Sequence, residues 1–150
     1  LLEQYDIRLE DLLNVRTFLD HNRVWKQPEH RSPGRVSRST GAFAYRGRRI
    51  GNAELEDNLL EHFENWAPYL KKFGLLVIEL HTIAPALTAQ NLGKTAATAY
   101  DATHGFSDQY IVEVEVFLKT AAEAGLHPDE KHFRRFPDSG LATVSVSWLK

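Results

Sequence analysis

The stretch LLVIEL, residues 75–80, holds five apolar side chains in six positions. So short and so apolar a run indicates a strand covered on both faces, as in a parallel sheet. A helix is predicted before it. Its N-cap is Asn52, and Glu54 and Glu56 follow in the first turn, where the helix dipole favours anions. Gly74 stands where a helix stop is expected, so the helix leads directly into the strand.

Further elements flank this helix and strand. Residues 11–19 form a mostly apolar run that ends in polar residues, which predicts a buried strand opening into a loop. Residues 84–92 suit a short helix, and residues 110–125 suit a longer one, although valines alternate in its first half as in a strand. Residues 132–136 and 141–149 predict a β-hairpin. The order of these elements predicts one α/β domain with parallel crossovers and an antiparallel final hairpin.

Composition fits an ordinary globular domain: 150 residues, 43% hydrophobic and 25% charged,. No run reaches the roughly 20 apolar residues of a membrane-spanning helix, and no signal-peptide pattern opens the chain. Cysteine is absent, which excludes disulfides, thiolate metal sites and cysteine nucleophiles, and favours a cytoplasmic setting,. Methionine is absent even at position 1, so the sequence is interpreted as a fragment.

Residues 21–50 concentrate positive charge, with eight arginines and lysines against the single acid Glu29. Such a segment can attract a phosphate-bearing or acidic partner. The alternative is a solvated loop, because prolines, glycines and serines interrupt the segment. We expect residues 23–49 to be mobile and partly without regular structure, since they offer little apolar surface to offset ordering entropy.

Polar side chains follow the predicted strands where each strand ends. Asp20 and His21 follow the first strand, His81 and Thr82 follow the central one, and the polar stretch AYDATHGFSDQY, residues 99–110, comes next along the chain. Ligands bind at the carboxyl ends of strands in open α/β sheets. The sequence therefore predicts that these three clusters meet at one edge of the sheet and form the functional site.

Three interpretations of this edge remain open. His81, Asp101, His104 and Gln109 offer imidazole and oxygen ligands that suit Fe²⁺ or Mn²⁺. His104 can instead act as a general base without a metal, or the polar groups of this stretch can simply cap a helix or a turn. Asp20 and His21 are candidates for orienting substrate, although Asp20 is equally suited to stabilising a turn.

Two stretches, VRTFLDHNR at 15–23 and TAYDATHGFSDQYIVE at 98–113, resemble the methyltransferase domains attached to bacterial polyketide synthases, including metal-dependent ones of loading modules. The element order is similar to the C-terminal half of a class I S-adenosylmethionine-dependent methyltransferase, a Rossmann-like fold. DLLNVRTFLDHNR resembles its fourth strand, LLVIEL its fifth, and the closing hairpin its sixth and seventh. The resemblance implies a mainly parallel half-sheet that ends in an antiparallel hairpin.

The resemblance also implies chemistry. The cofactor would be S-adenosylmethionine, with Phe18, Asp20 and His21 beside it, and the substrate an acyl group on a carrier protein or a small acyl compound. Catalytic roles would fall to His104, His81 and Asp20, with a divalent metal as a further candidate. The glycine-rich turn and the ribose-binding acid of the family are absent from this sequence. We therefore expect the N-terminal, cofactor-binding half to be missing, and the chain alone to bind S-adenosylmethionine poorly.

Two other functions compete with this one. A non-catalytic or truncated module would dock an acidic carrier protein through residues 23–49. Nucleic-acid binding by the same segment is disfavoured because few aromatic residues are interleaved and the remainder of the chain is acidic. No membrane partner is expected. Among residues without an assigned role, Trp66 and Trp148 are predicted in the core and His62 on the surface.

Overall fold

The structure is a computed structural model that describes residues 2–150. Its described part contains a four-stranded sheet, a separate two-stranded hairpin, four α-helices and three short 3₁₀ turns. In chain order the strands and helices are β1 Asn14–Thr17, β2 Phe43–Tyr45, β3 Arg48–Ile50, α1 Asn52–Leu70, β4 Leu75–Leu80, α2 Pro85–Gln90, α3 Ala97–Phe106, α4 Val114–Glu123, β5 Arg134–Phe136 and β6 Val144–Leu149.

The strand order in the large sheet is β1-β4-β6-β5. β1 runs parallel to β4, whereas β6 is antiparallel to both β4 and β5. This is the order expected if the four strands correspond to the fourth, fifth, seventh and sixth of a larger sheet. The expectation of a mainly parallel sheet is wrong, because only one of the three pairings is parallel. The predicted first strand is also shorter than expected, since Leu9–Asp11 forms a 3₁₀ turn before it.

A glycine makes the connection from α1 to β4. The backbone N–H of Gly74 donates to the Leu70 carbonyl, and Gly74 adopts φ +75°. A Cβ at this position would lie 2.3 Å from the backbone oxygen of Leu149, so only glycine lets the chain pass this close to β6,. The predicted helix stop is confirmed. The N-cap is Gly51 rather than Asn52, whose side chain instead donates to the carbonyls of Ser39 and Gly41.

One face of the sheet is covered by α1 and α4. The Phe63 ring of α1 meets the Phe117 ring of α4 edge-on, with centroids 5.2 Å apart. Beneath them the sheet contributes Leu75, Val77 and Leu149, all fully buried. The apolar stripes of both helices therefore point at the same side of β4, which explains why these sequences fold as amphipathic helices.

The opposite face of the sheet is apolar and half-exposed. Its cross-strand rows bring Val15 beside Leu76 and Trp148, and Ile78 beside Val146. β6 thus turns its serines toward the helices and its larger apolar residues away from them. The prediction that Trp148 and Trp66 are core residues is wrong, since both are only half-buried. Trp66 packs at the margin of the core, under the guanidinium of Arg16.

Residues 23–42 contain no helix or strand, as predicted. The segment is nevertheless anchored through a buried arginine. The Arg35 guanidinium donates to Asp57 of α1 and to Glu123 of α4, both at 2.6 Å, and Ser32 also donates to Asp57. The following residues form the β2–β3 hairpin, so the segment lacks regular structure only in part, as predicted. Mobility of the segment stays a prediction.

The polar stretch 99–110 lies mostly in α3, a helix that was not predicted from the sequence. α4 begins at Val114, after an extended and buried segment from Tyr110 to Val112. Of the alternating valines, Val112 therefore lies in the segment before the helix, whereas Val114 and Val116 lie in α4. No helix among residues 2–150 is long and apolar enough to cross a membrane.

β1 lies at the edge of the sheet and, within residues 2–150, pairs only with β4. Val15 is 54% exposed and Leu13 is 52% exposed, while Arg16 is buried on the helix-covered face and does not shield the edge. Because an apolar strand edge offers free N–H and C=O groups, we expect the isolated chain to dimerise or aggregate through β1. Light scattering after size exclusion checks this, and Val15→Lys should reduce the association. A monodisperse monomer at high concentration would contradict it.

Candidate functional site

The turn that follows β1 is organised by a buried carboxylate on β4. Glu79 is 1% exposed, and its Oε2 accepts the backbone N–H groups of Asp20 at 2.8 Å and His21 at 3.2 Å. Its Oε1 accepts the N–H of Leu80 at 2.7 Å and lies 2.5 Å from Nδ1 of His21. Phe18 adds a further link, donating its N–H to the Ile78 carbonyl from a left-handed conformation with φ +57°. Glu79 therefore fixes where the residues after β1 lie.

Asp20 is enclosed rather than presented to a ligand. Its Oδ1 lies 2.5 Å from Nη1 of Arg16 and 2.8 Å from Nε2 of His62. Burial opposes its ionisation, but His62 and Arg16 overcome this and hold the pKa of Asp20 below its usual range. Its Oδ2 is buried without a hydrogen-bond partner among residues 2–150, and the catalytic and cofactor-binding roles of Asp20 stay predictions. The prediction that His62 is a surface residue is wrong, because its ring is mostly buried against this carboxylate.

The residues after β1 contact the stretch around α3 directly. The His21 ring meets the His104 ring edge-on, with centroids 4.9 Å apart. The Tyr110 N–H donates to the His21 carbonyl, and the Gln109 amide donates to Asn22 at 2.6 Å. The predicted meeting of these polar clusters at the carboxyl ends of β1 and β4 is therefore present in the structure.

His81, which follows β4, is held inside the protein by two hydrogen bonds. Its Nδ1 lies 3.2 Å from the Val112 carbonyl, which can only accept, so Nδ1 carries the proton,. Its Nε2 then accepts from the Ser145 hydroxyl at 2.7 Å. Burial lowers the pKa of His81 to about 4. A neutral imidazole with both nitrogens occupied positions the strand end and has no lone pair left for a ligand or a proton, which does not fit a catalytic role.

The predicted metal ligand set is not assembled. His81 is unavailable because both of its nitrogens are hydrogen-bonded, and Gln109 has its amide engaged by Asn22 and Ser107. Asp101 and His104 remain, and no cluster of three or more His, Asp or Glu side chains with metal-binding geometry occurs in the described part of the chain. We therefore assign no metal ligands and derive no chemistry from a metal.

A cleft of about 240 Å³ opens beside this edge. One wall comes from residues 41–44, which lead into β2, and the other comes from α3 and the segment after it. Its polar lining comprises Thr82, Asp101, His104, Gln109 and Tyr110. Of the predicted site residues, Asp101, His104 and Gln109 line the cleft, whereas Phe18, Asp20, His21 and His81 do not.

His104 has one ring nitrogen fixed and the other free. Its Nδ1 lies 2.7 Å from the Tyr100 carbonyl, one turn earlier in α3, so Nδ1 carries the proton,. The Nε2 lone pair then has no hydrogen-bond partner among residues 2–150. A histidine that lines a cleft, with one ring nitrogen bound to a backbone carbonyl and the other without a partner, has the arrangement of a general base,.

Two oxygen-bearing side chains complete the polar lining. Partial burial raises the pKa of the Asp101 carboxyl, and the neighbouring Thr82 hydroxyl opposes this shift. Burial raises the pKa of Tyr110 to about 12, so its hydroxyl keeps its proton. That hydroxyl is buried without a partner within the described residues. Tyr110 thus contributes to the cleft wall, while its hydroxyl is enclosed by the protein.

Glu79 and Tyr110 were not among the predicted site residues. Glu79 was the single charged residue in an otherwise apolar strand, and a buried charge in such a place requires specific partners. Tyr110 sits at the junction between the polar stretch and an apolar run, but nothing in the pattern shows which way its hydroxyl points. An isolated acid in an apolar strand is therefore the sequence signal for Glu79, whereas Tyr110 has no such signal.

The residues present do not by themselves fit S-adenosylmethionine. Asp20, the candidate acid, is already bound by Arg16 and His62, and His21 is held by Glu79. Phe18 alone among the three candidates offers exposed surface, at 44%. We therefore derive no step through the cofactor from this chain.

The buried neutral state of His81 predicts a pH-dependent stability. Its pKa falls from 6.5 to about 4 on folding, so the unfolded chain binds the proton first. Stability is complete above pH 6.5 and is lost as the pH falls toward 4; the loss between pH 6.5 and pH 5 should be about 2 kcal/mol. Urea unfolding at each pH measures it, with His81→Gln as the comparison. An equally steep slope in this variant would contradict the assignment.

Comparison with known proteins supplies a family. Residues 1–147 match the methyltransferase family described as the AprA MT2-like domain. No curated protein matches the sequence. The match covers the sheet, the cleft and all four helices, so this chain belongs to the AprA MT2-like methyltransferase domain family.

Proposed function

We propose that the chain is part of a methyltransferase that adds a methyl group from S-adenosylmethionine to a carbon atom of an acyl group held on a carrier protein. Family membership supports methyl transfer. The observation that carries the rest of the proposal is His104, which lines the cleft and whose Nδ1 donates to the Tyr100 carbonyl, leaving Nε2 without a partner among residues 2–150. A carbon nucleophile must lose a proton before it can accept a methyl group, and His104 can take that proton.

The proton transfer uses the unpartnered ring nitrogen of His104. Nε2 accepts a proton from the carbon next to the acyl carbonyl, and the electron pair left behind moves toward the carbonyl oxygen. A hydrogen-bond donor placed where this negative charge develops would lower the barrier to forming the enolate.

S-adenosylmethionine supplies the methyl group in methyltransferases of this kind. The chain lacks a glycine-rich turn after a strand, and its own residues leave the cofactor pocket incomplete. We propose that a further, N-terminal part of the domain provides most of that pocket, and that it covers the exposed edge of β1. The isolated chain should then bind S-adenosylmethionine weakly, and micromolar affinity would contradict this division of the domain.

The test is methyl transfer by the intact domain to a malonyl thioester on its carrier protein. The substrate carries deuterium on the carbon between the two carbonyl groups, and the reaction is run in deuterium oxide so that exchange with solvent at this carbon restores the label. Methylation of carbon must replace one deuterium, whereas methylation of oxygen leaves both, so mass spectrometry of the product distinguishes them. We expect a product that has gained a methyl group and lost a deuterium. A product that retains both deuterium atoms would contradict carbon methylation.

A further inference from the structure

A glycine lies inside α3, where helix stability favours another residue. Gly105 comes one residue before the helix ends at Phe106. A glycine inside a helix destabilises it relative to alanine, because the glycine backbone is freer in the unfolded chain. The backbone of Gly105 is helical and Gly105 is not among the glycines with positive φ, so its conformation does not require glycine. Its presence therefore needs another explanation.

The end of α3 does not require this glycine either. The left-handed residue that follows the helix is Asp108, with φ +54°, and the Gln109 N–H donates to the His104 carbonyl at 2.9 Å. This hydrogen bond is the one that closes a Schellman motif, in which the left-handed residue is usually glycine. The chain thus places an aspartate where glycine is favoured, and places glycine three residues earlier, where it is not.

No neighbouring group excludes a side chain at Gly105. A Cβ at this position would have no heavy atom of residues 2–150 within 4 Å, beyond its chain neighbours and the backbone of α3. By contrast, a Cβ at Gly74 would collide with the backbone of Leu149. Close packing therefore explains Gly74 and does not explain Gly105.

The space beside Gly105 belongs to the cleft. Asp101, His104 and Gly105 all line it, and helix residues that are three or four positions apart lie on one face. A side chain at position 105 would therefore project from the same face as the Asp101 carboxylate and the His104 imidazole. Because the cleft measures only about 240 Å³, such a side chain would fill room beside the proposed base.

We propose that Gly105 determines the size of the acyl group that the cleft admits. The inference rests on the proposed function and names a specificity-determining residue for its substrate. The helix loses stability at this position, and the room gained lies beside the residue that takes the substrate's proton. The alkyl part of the acyl group occupies this room, so a larger residue at position 105 restricts the cleft to shorter acyl groups.

Binding of acyl pantetheine thioesters to the intact domain, with no methyl donor present, tests the proposal. The probes are the acetyl, butyryl and hexanoyl thioesters, and NMR titration gives their dissociation constants. The wild type should bind all three. Gly105→Leu should weaken binding of the hexanoyl thioester at least about tenfold, and that of the acetyl thioester less than about twofold.

Two further variants separate acyl selection from effects on folding. Gly105→Ala should weaken hexanoyl binding by an intermediate factor and raise the midpoint of thermal unfolding by about 2 °C, because alanine favours the helix. Ala99→Leu is the matched control and should leave all three affinities unchanged. Ala99 is an exposed residue of α3 that does not line the cleft, and it lies two positions from Asp101, away from the cleft face,.

Four results would overturn the proposal. The first is a wild type that does not bind the hexanoyl thioester, and the second is an equal change in affinity for all three thioesters in Gly105→Leu. The third is the same loss of hexanoyl binding in Ala99→Leu. The fourth is a lower thermal midpoint for Gly105→Ala, since the fold itself would then require the glycine. Carbon methylation is scored separately by deuterium loss, so a failure of the proposed reaction leaves this binding result interpretable.

Discussion

Replacement of His104 by glutamine is expected to lower the rate constant of methyl transfer by a factor of about 10² to 10⁴, the contribution of a positioned general base. Glutamine keeps a polar side chain of similar length, but its amide cannot take a proton from carbon. The unpartnered Nε2 of this cleft-lining histidine is the group that is lost. The measurement is kcat for the intact domain with carrier-bound substrate at saturation.

The control for this variant is His30→Gln. The His30 side chain is 90% exposed and lies outside the cleft, so its replacement should leave kcat unchanged. Full activity of His104→Gln, or an equal loss of kcat in His30→Gln, would remove His104 as the base.

Replacement of Glu79 by alanine is expected to lower the free energy of unfolding by about 3 to 5 kcal/mol, because each buried hydrogen-bonding group left without a partner costs about 1 to 3 kcal/mol. Three buried backbone N–H groups, those of Asp20, His21 and Leu80, lose their acceptor at the same time. Urea unfolding followed by tryptophan fluorescence measures the loss.

Glu64→Ala is the matched control, because Glu64 is an exposed acid on α1 and should change stability by less than about 1 kcal/mol,. Glu79→Gln provides an intermediate case that keeps the side-chain volume and one acceptor oxygen. It should fall between the two alanine variants. Equal stability of Glu79→Ala and Glu64→Ala would show that the turn after β1 does not depend on Glu79.

The sheet was largely predictable from local sequence. The apolar run at 75–80, the helix ending at Gly74 and the final hairpin each have short-range signals, and chain connectivity then restricts the strand order. The partly covered face was not predictable, because the valines of β6 alternate regularly but alternation does not reveal which face meets the helices. Trp148 was assigned to the core for this reason and lies on the other side.

The location of the site was predictable, and its hydrogen bonds were not. Strand ends carry polar residues in the sequence, so their meeting at one edge follows from the fold. The roles of individual residues depend on partners far along the chain. Nε2 of His81 is hydrogen-bonded to Ser145, and Oδ1 of Asp20 is hydrogen-bonded to His62. Neither contact has a sequence signal. His81 was therefore predicted to be a metal ligand although both of its nitrogens are hydrogen-bonded.

Proton exchange on the substrate, measured with no methyl donor present, tests the central claim about His104 most directly. The intact domain is incubated in deuterium oxide with malonyl thioester on its carrier protein, and mass spectrometry follows deuterium uptake at the carbon between the carbonyl groups. We predict that the wild type accelerates uptake over the enzyme-free rate and that His104→Gln reduces this acceleration at least about a hundredfold. Equal acceleration by both proteins would contradict the assignment of His104 as the base.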